Sequence, residues 1–192
     1  MKYRGAIKIS TTTMKGIVFT EFLEMVEEKF DLAAVDQMIE TAGLDSGGAY
    51  TSVGTYDHEE LLTLVGALHK LTGMPVNDLL VIYGKYLLPK LLTINPELTS
   101  QFRSCFELVA AVDEIIHVEV RKLYPDAELP TFEVLKHNQD EMELVYTSCR
   151  PFADLAKGLI IGCAEYYNEN IEVEVESMAR SSLLSIRRVS QI

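Results

Sequence analysis

The chain is short of cysteine, short of basic residues and without any long apolar run, and each shortage removes a class of protein. Its three thiols, Cys105, Cys149 and Cys163, are odd in number, lack C-x-x-C spacing and have no histidine nearby, so neither a disulfide framework nor a zinc site is indicated. Free thiols in a reducing compartment are expected. Lys and Arg number 17 against 29 Asp and Glu, a formal charge of -12. Nucleic acid and anionic membrane surfaces are therefore poor partners, because phosphate recognition draws on clustered cations. No stretch approaches the roughly twenty uninterrupted apolar residues of a membrane span, and the first residues carry no signal-peptide apolar core. A cytoplasmic soluble protein with a small ligand or another protein as partner is expected. There is no G-x-S-x-G, Walker loop, H-E-x-x-H or dinucleotide fingerprint, so enzymatic readings start without a motif.

What is present is core material. The 192 residues are 48% apolar, enough for one domain with a sizeable interior. Residues 1–13, a basic start followed by Ser10-Thr-Thr-Thr13, read as a loosely ordered extension. From there Ile17, Val18, Phe22, Met25, Val26 and Phe30 recur at helical spacing. A second short helix, about 33–41, stops at Gly43; Tyr50 to Tyr56 reads as extended; Asp57 caps a helix that Gly73 closes. Leu79 to Leu92 is apolar over more than half its circumference, so this helix is buried or walls a cavity, and Pro89 predicts a kink.

After Asn95-Pro96, Phe106, Val109, Val112, Ile116, Val120 and Leu123 mark a long helix with His117 at the edge of its buried stripe, on a flank shared with Asp113. Thr131–Leu135 and Glu141–Ser148 read as a hairpin, with Met142, Leu144, Tyr146 and Ser148 on one face and Arg150 joining them if the chain stays extended. Pro151 suits the first turn of a helix reaching about Tyr167. Ile171–Val175 alternates strictly, and one more strand follows Ser177. The predicted class is α+β: an N-terminal helical subdomain, about 14–95, then a mostly antiparallel sheet with packed helices, about 96–192, in a single domain without internal repeats.

Candidate chemistry is sparse. His58, His69 and His137 occupy polar positions and read as solvated. A lone histidine such as His117 on a half-buried helix is more often structural than ligating. Tyr146, Ser148 and Arg150 put two hydroxyls and a guanidinium on one strand face, a set that can surround carboxylates; ordinary surface hydrogen bonding at a strand end is the alternative.

Taken together, four segments resemble a known family. Met14-Lys-Gly-Ile-Val-Phe-Thr-Glu-Phe22, Tyr50-Thr-Ser-Val-Gly-Thr-Tyr-Asp57, His117-Val-Glu-Val-Arg-Lys-Leu-Tyr-Pro-Asp-Ala-Glu-Leu-Pro130 and Tyr146-x-Ser148-x-Arg150 are similar to the haem-nitric oxide/oxygen binding (H-NOX) domain, the bacterial relative of the soluble guanylate cyclase sensor domain, over about residues 14–175. The resemblance implies haem b buried between the two parts, with His117 as proximal iron ligand and Tyr146, Ser148 and Arg150 on the propionates. It implies that Pro130 packs against the porphyrin and distorts it, and that Val18, Phe22, Leu87, Leu88, Leu91, Leu155 and Leu159 line the distal side. Oxygen-binding members donate a hydrogen bond from a distal tyrosine; the matching position here is Leu155, so binding of NO and CO without stable O2 binding is implied. Tyr83, one turn before Leu87, is the hydroxyl to watch. The implied role is a non-enzymatic sensor in which NO weakens the tie to His117 and a conformational change is read by a histidine kinase or a cyclic-di-GMP enzyme. Some relatives carry a zinc site near the C-terminus, but no Cys or His follows Cys163, so no zinc is expected. The segment after Ser177 matches poorly and is expected to be short or irregular. Two other readings stand beside this one: a haem-free protein-interaction module of the same fold, and a peroxidase, which lacks a distal His or Arg to assist O–O cleavage.

Overall fold

The computed structural model describes residues 12–189. It begins with β1 (Thr13–Lys15), paired antiparallel with β2 (Thr55–Asp57) in a two-stranded ribbon. Thr13, expected in a loose extension, is thus a strand residue, and residues 1–11 of that extension lie outside the described residues. Only the last part of the Tyr50–Tyr56 stretch is a strand. The rest is a loop whose Ser52 and Gly54 carbonyls accept the Ile17 and Gly16 amides at 2.9 and 2.8 Å. Gly16 permits this approach, since a Cβ there would sit 1.8 Å from the Thr51 carbonyl oxygen.

The first helices follow their caps. After α1 (Ile17–Lys29), the Asp31 carboxylate accepts the Ala34 amide at 2.8 Å to start α2 (Leu32–Ala42), and Gly43 at φ 59° ends it. Asp57 caps α3 (His58–Thr72) through the Glu59 amide, and Gly73 ends it at φ 73°. Aspartate accepts orphan amides, and glycine adopts the left-handed conformation without steric cost. α4 (Val76–Leu92) continues through Pro89, which stands in its last turn, three residues before the helix ends.

The long helix expected to carry His117 is divided. It comprises α5 (Pro96–Thr99), α6 (Cys105–Ala110), a π turn (Val112–Ile116) and α7 (His117–Leu123). Asn95 and Ser104 cap the first two pieces. In the π turn both Ile115 and Ile116 donate to the Ala111 carbonyl, at 2.9 and 3.2 Å. Around this turn Ile115 and Val118, both off the apolar stripe, are 38% and 41% exposed, while His117 is 9% exposed.

β3 (Thr131–His137) and β4 (Glu141–Thr147) form the hairpin. α8 (Ala153–Tyr166) follows, then β5 (Ile171–Ser177) and β6 (Ser182–Arg188). Pro151 lies outside α8, in a turn closed by the Phe152 amide on the Arg150 carbonyl. The sheet order is β3-β4-β6-β5, antiparallel throughout. The segment after Ser177, expected to be short or irregular, is a seven-residue inner strand. Leu184 and Ile186 alternate into the core and so fix its register between β4 and β5.

The fold is α+β with two apolar cores. Phe19, Phe22, Met25, Leu61, Leu64, Leu68 and Tyr83 fill the helical part; Phe106, Met142, Leu144, Ile160, Leu184 and Ile186 fill the space under the sheet. Both α4 and α8 contribute to each core: Leu87 and Leu155 to the first, Leu88, Leu92 and Ile160 to the second. No described helix is long and apolar enough to cross a membrane.

The α4–α8 contact depends on glycine. A Cβ on Gly84 would lie 2.4 Å from the Leu155 carbonyl oxygen, and one on Gly158 would lie 2.3 Å from that of Val81. Backbone cannot yield as a side-chain tip does. Gly84→Ala and Gly158→Ala should each destabilise the protein by about 1–3 kcal/mol, read as a lowered urea midpoint, whereas Gly66→Ala, with nothing within 4 Å, should not.

Candidate functional site

Between the two cores lies a cavity of about 340 Å³, of a size that takes small molecules. One wall is apolar: Ile17 and Val18 from α1, Leu87, Leu88 and Leu91 from α4, Leu155 and Leu159 from α8. Opposite are Val112, Ile116, His117 and Val120, with Leu129, Pro130 and Phe132, and at the rim stand Tyr146, Ser148 and Arg150. Tertiary packing has brought together every candidate singled out in the sequence except Phe22. That ring is fully buried in the helical core and meets Tyr83 edge-on at 5.1 Å, behind the wall and not in it. Tyr83 is outside the lining too. Its hydroxyl donates to the Val18 carbonyl, and complete burial pushes its pKa well above the ordinary value.

His117 is held by Asp113, a residue that belongs to no motif of the sequence. Its Nδ1 is 2.8 Å from Asp113 Oδ1, and Asp113 Oδ2 accepts the Phe132 amide at 2.7 Å. A carboxylate only accepts, so the network assigns the ring proton to Nδ1 and leaves a lone pair on Nε2, which has no hydrogen-bond partner among the described residues. Burial lowers the His117 pKa, against the opposing charge and hydrogen bond of Asp113, favouring the neutral ring. The sequence signal was the i,i+4 spacing, which places the two residues on one helical flank.

At the rim, Tyr146 is buried at the end of β4, and burial raises its hydroxyl pKa. Ser148 Oγ accepts the Arg150 amide at 3.1 Å. Arg150 donates from Nη2 to the Glu128 carbonyl oxygen at 2.8 Å and to Glu128 Oε2 at 3.1 Å, while its buried Nε has no partner among the described residues. A buried guanidinium N–H without an acceptor is costly, and this donor is free to serve an anionic group in the cavity. Glu128, the partner of Arg150, was not found from the sequence, for it lies in an irregular loop where periodicity gives no direction.

The remaining histidines stand elsewhere. His58, expected to be solvated, is half-buried, with Nδ1 2.8 Å from the Thr12 carbonyl oxygen; His69 Nδ1 is 2.7 Å from that of Met74; and His137 is exposed at the end of β3. None lines the cavity. Cys105 and Cys163 are buried and Cys149 is exposed, all as free thiols. Among the described residues no group of three or more His, Cys, Asp or Glu could hold a metal ion. The single imidazole suits a metal that arrives with its other ligands already in place.

Residues 15–175 match the family described as haem-NO-binding. No curated protein matches. Among solved structures, the chain is similar to the unliganded Fe(II) H-NOX protein from K. algicida, with 36% identity and a TM-score of 0.86 over 93% of this chain and 98% of that one. It is similar to the IWP-051-bound H-NOX from Shewanella woodyi in the Fe(II)CO ligation state, with 39% identity and a TM-score of 0.78 over 92% and 95%. A third, the H-NOX protein from S. oneidensis in the Fe(II)NO ligation state, shares 25% identity with a TM-score of 0.84 over 92% and 100%.

Asp113→Ala should lower stability by about 1–3 kcal/mol, because it strands the Phe132 amide and the His117 Nδ1–H together. Asp113→Asn, which keeps an acceptor oxygen, should fall between that variant and the wild type in urea midpoint.

Proposed function

The chain belongs to the haem-NO-binding (H-NOX) family of haem-based gas sensor domains, and from that premise we propose that it senses NO, and binds CO, at a ferrous haem b held by His117, without stable O2 binding. The observation that carries this reading is the meeting, in one cavity, of a neutral imidazole with a free Nε2 and an arginine with an unpartnered buried Nε. Haem has one metal in need of a protein ligand and carboxylates at one edge, and this donor set fits both needs. When bound, the haem supplies a ferrous iron with one open position for a diatomic gas.

The residues divide the work. Asp113 fixes the tautomer and direction of His117, as partners of ligating histidines do. Tyr146, Ser148 and Arg150 offer hydroxyl and guanidinium donors to the carboxylates, and Pro130 supplies a rigid surface beside them. Val18, Leu87, Leu88, Leu91, Leu155 and Leu159 form the distal wall and keep water out. O2 as a ligand depends on a nearby hydrogen-bond donor far more than NO or CO does. Val18 and these leucines offer none, and the hydroxyl of Tyr83, one turn before Leu87, is tied to the Val18 carbonyl.

Signalling runs through the helix that bears His117. The π turn immediately before it is a rare conformation found often at functional sites, and it is where the 112–123 segment yields when the hold on His117 is released. The shift of α7 against the N-terminal helices is then read by a partner, either a histidine kinase or a cyclic-di-GMP enzyme, in the cytoplasm. The domain itself senses and does not catalyse.

Visible spectra of the reduced protein test this reading. A Soret band that shifts with NO and with CO, and shows no stable shift in air, is expected; His117→Ala should lose the five-coordinate ferrous spectrum. A protein that takes up no haem would return the reading to a haem-free interaction module. Leu155→Tyr should add the missing donor, and a stable oxygen-dependent shift in that variant alone would identify the wall as the selectivity element.

A further inference from the structure

We propose that Glu128 is a positioning residue for the cofactor's carboxylates: it sets the Arg150 guanidinium at the cavity rim and ties that rim to strand β1. The proposal rests on the haem reading above. Arg150 is 8% exposed, so its guanidinium sits where water does not compete, and its direction is decided by protein acceptors. Glu128 supplies both of them, the backbone oxygen at 2.8 Å and Oε2 at 3.1 Å, and both fall on Nη2. With that nitrogen engaged, Nε, buried and unpartnered, and Nη1, which makes no hydrogen bond among the described residues, are left as two single donors on different edges of the guanidinium for ligand carboxylates.

The same carboxylate oxygen has a second duty. Glu128 Oε2 accepts the Thr13 amide at 3.1 Å, so one atom bridges β1 and Arg150. A second stitch lies alongside: Lys15 Nζ bonds Asp126 at 2.8 Å and Thr55 Oγ1 at 2.9 Å, and lies 5.3 Å from the centre of the Tyr124 ring. The loop from α7 to β3 therefore joins the carboxylate rim to the β1–β2 ribbon. The Glu128 side chain is 47% exposed and held by these bonds rather than by packing, which makes it replaceable without opening the core. Its removal frees the guanidinium and loosens Thr13 together.

The test compares protohaem with its dimethyl ester, which has no free carboxylate. Loss of each cofactor from the holoprotein to an excess of a haem-scavenging globin is timed for wild type, Glu128→Ala and Glu128→Gln, and amide exchange at Thr13 is measured in the cofactor-free proteins. Glu128→Ala should speed loss of protohaem by about three- to tenfold, the size expected of a half-exposed charge-assisted bond. Glu128→Gln should fall between, since its amide oxygen still accepts, and neither variant should alter loss of the ester. Thr13 exchange should rise in Glu128→Ala. Equal acceleration with both cofactors marks a merely structural role and overturns the proposal, as does unchanged or slower loss of protohaem. A wild type that loses the two cofactors at equal rates shows that the rim does not read carboxylates, with the same consequence. A wild type that takes up neither cofactor overturns the haem reading itself and this proposal with it.

Discussion

His117 is buried, and an imidazole kept from water needs a partner for its ring proton. Asp113 meets that need and, with its second oxygen, holds the Phe132 amide at the start of β3. One carboxylate thus couples the helix bearing the histidine to the sheet edge, and it leaves Nε2 as the free nitrogen at the cavity. The π turn belongs to the same constraint. It widens the backbone between Ala111 and His117, and His117 is buried there while Ile115 and Val118 face outward.

The cavity exists because two helices serve both cores. α4 and α8 approach closely enough at Gly84 and Gly158 that no side chain fits between their backbones. That contact fixes the spacing of Leu87, Leu88, Leu155 and Leu159, so one packing decision shapes the whole apolar wall. Tyr83 acts as a lock behind it: its hydroxyl is satisfied within the helical core, and the wall stays without a donor. Selectivity in the proposed sensor would therefore be set by a hydrogen bond made elsewhere as much as by the leucines.

Much of this was legible along the chain. The Gly43, Asp57 and Gly73 punctuation marked the early helices because capping is local chemistry. The strict alternation of Met142, Leu144 and Tyr146 marked β4 because a strand has a period of two. The leucine-rich Leu79–Leu92 segment announced a wall or a core, and it is both. Other features were not legible. A π turn adds one residue to a helical repeat and leaves no compositional mark. β6 was read as a strand, but its full length and its inner place were decided by β4 and β5, which pair with it on both sides. Phe22 shares a helical period with Val18 and yet belongs to the core, because Tyr83 from another helix claims its ring.

By itself the sequence determined the residue types and their local spacing: one histidine on an apolar helix with an aspartate four positions before it, the Tyr146, Ser148, Arg150 set on a strand, and enough leucine to line a cavity. Those properties are carried by neighbours in the chain, so period and capping reveal them. The tertiary structure decided which of them meet. Glu128 reaches Arg150 and Thr13, and Tyr83 turns away from the cavity toward Val18, through contacts between residues 22, 115 and 65 positions apart. Separations of that size are closed by packing of the two cores, and no local pattern encodes them.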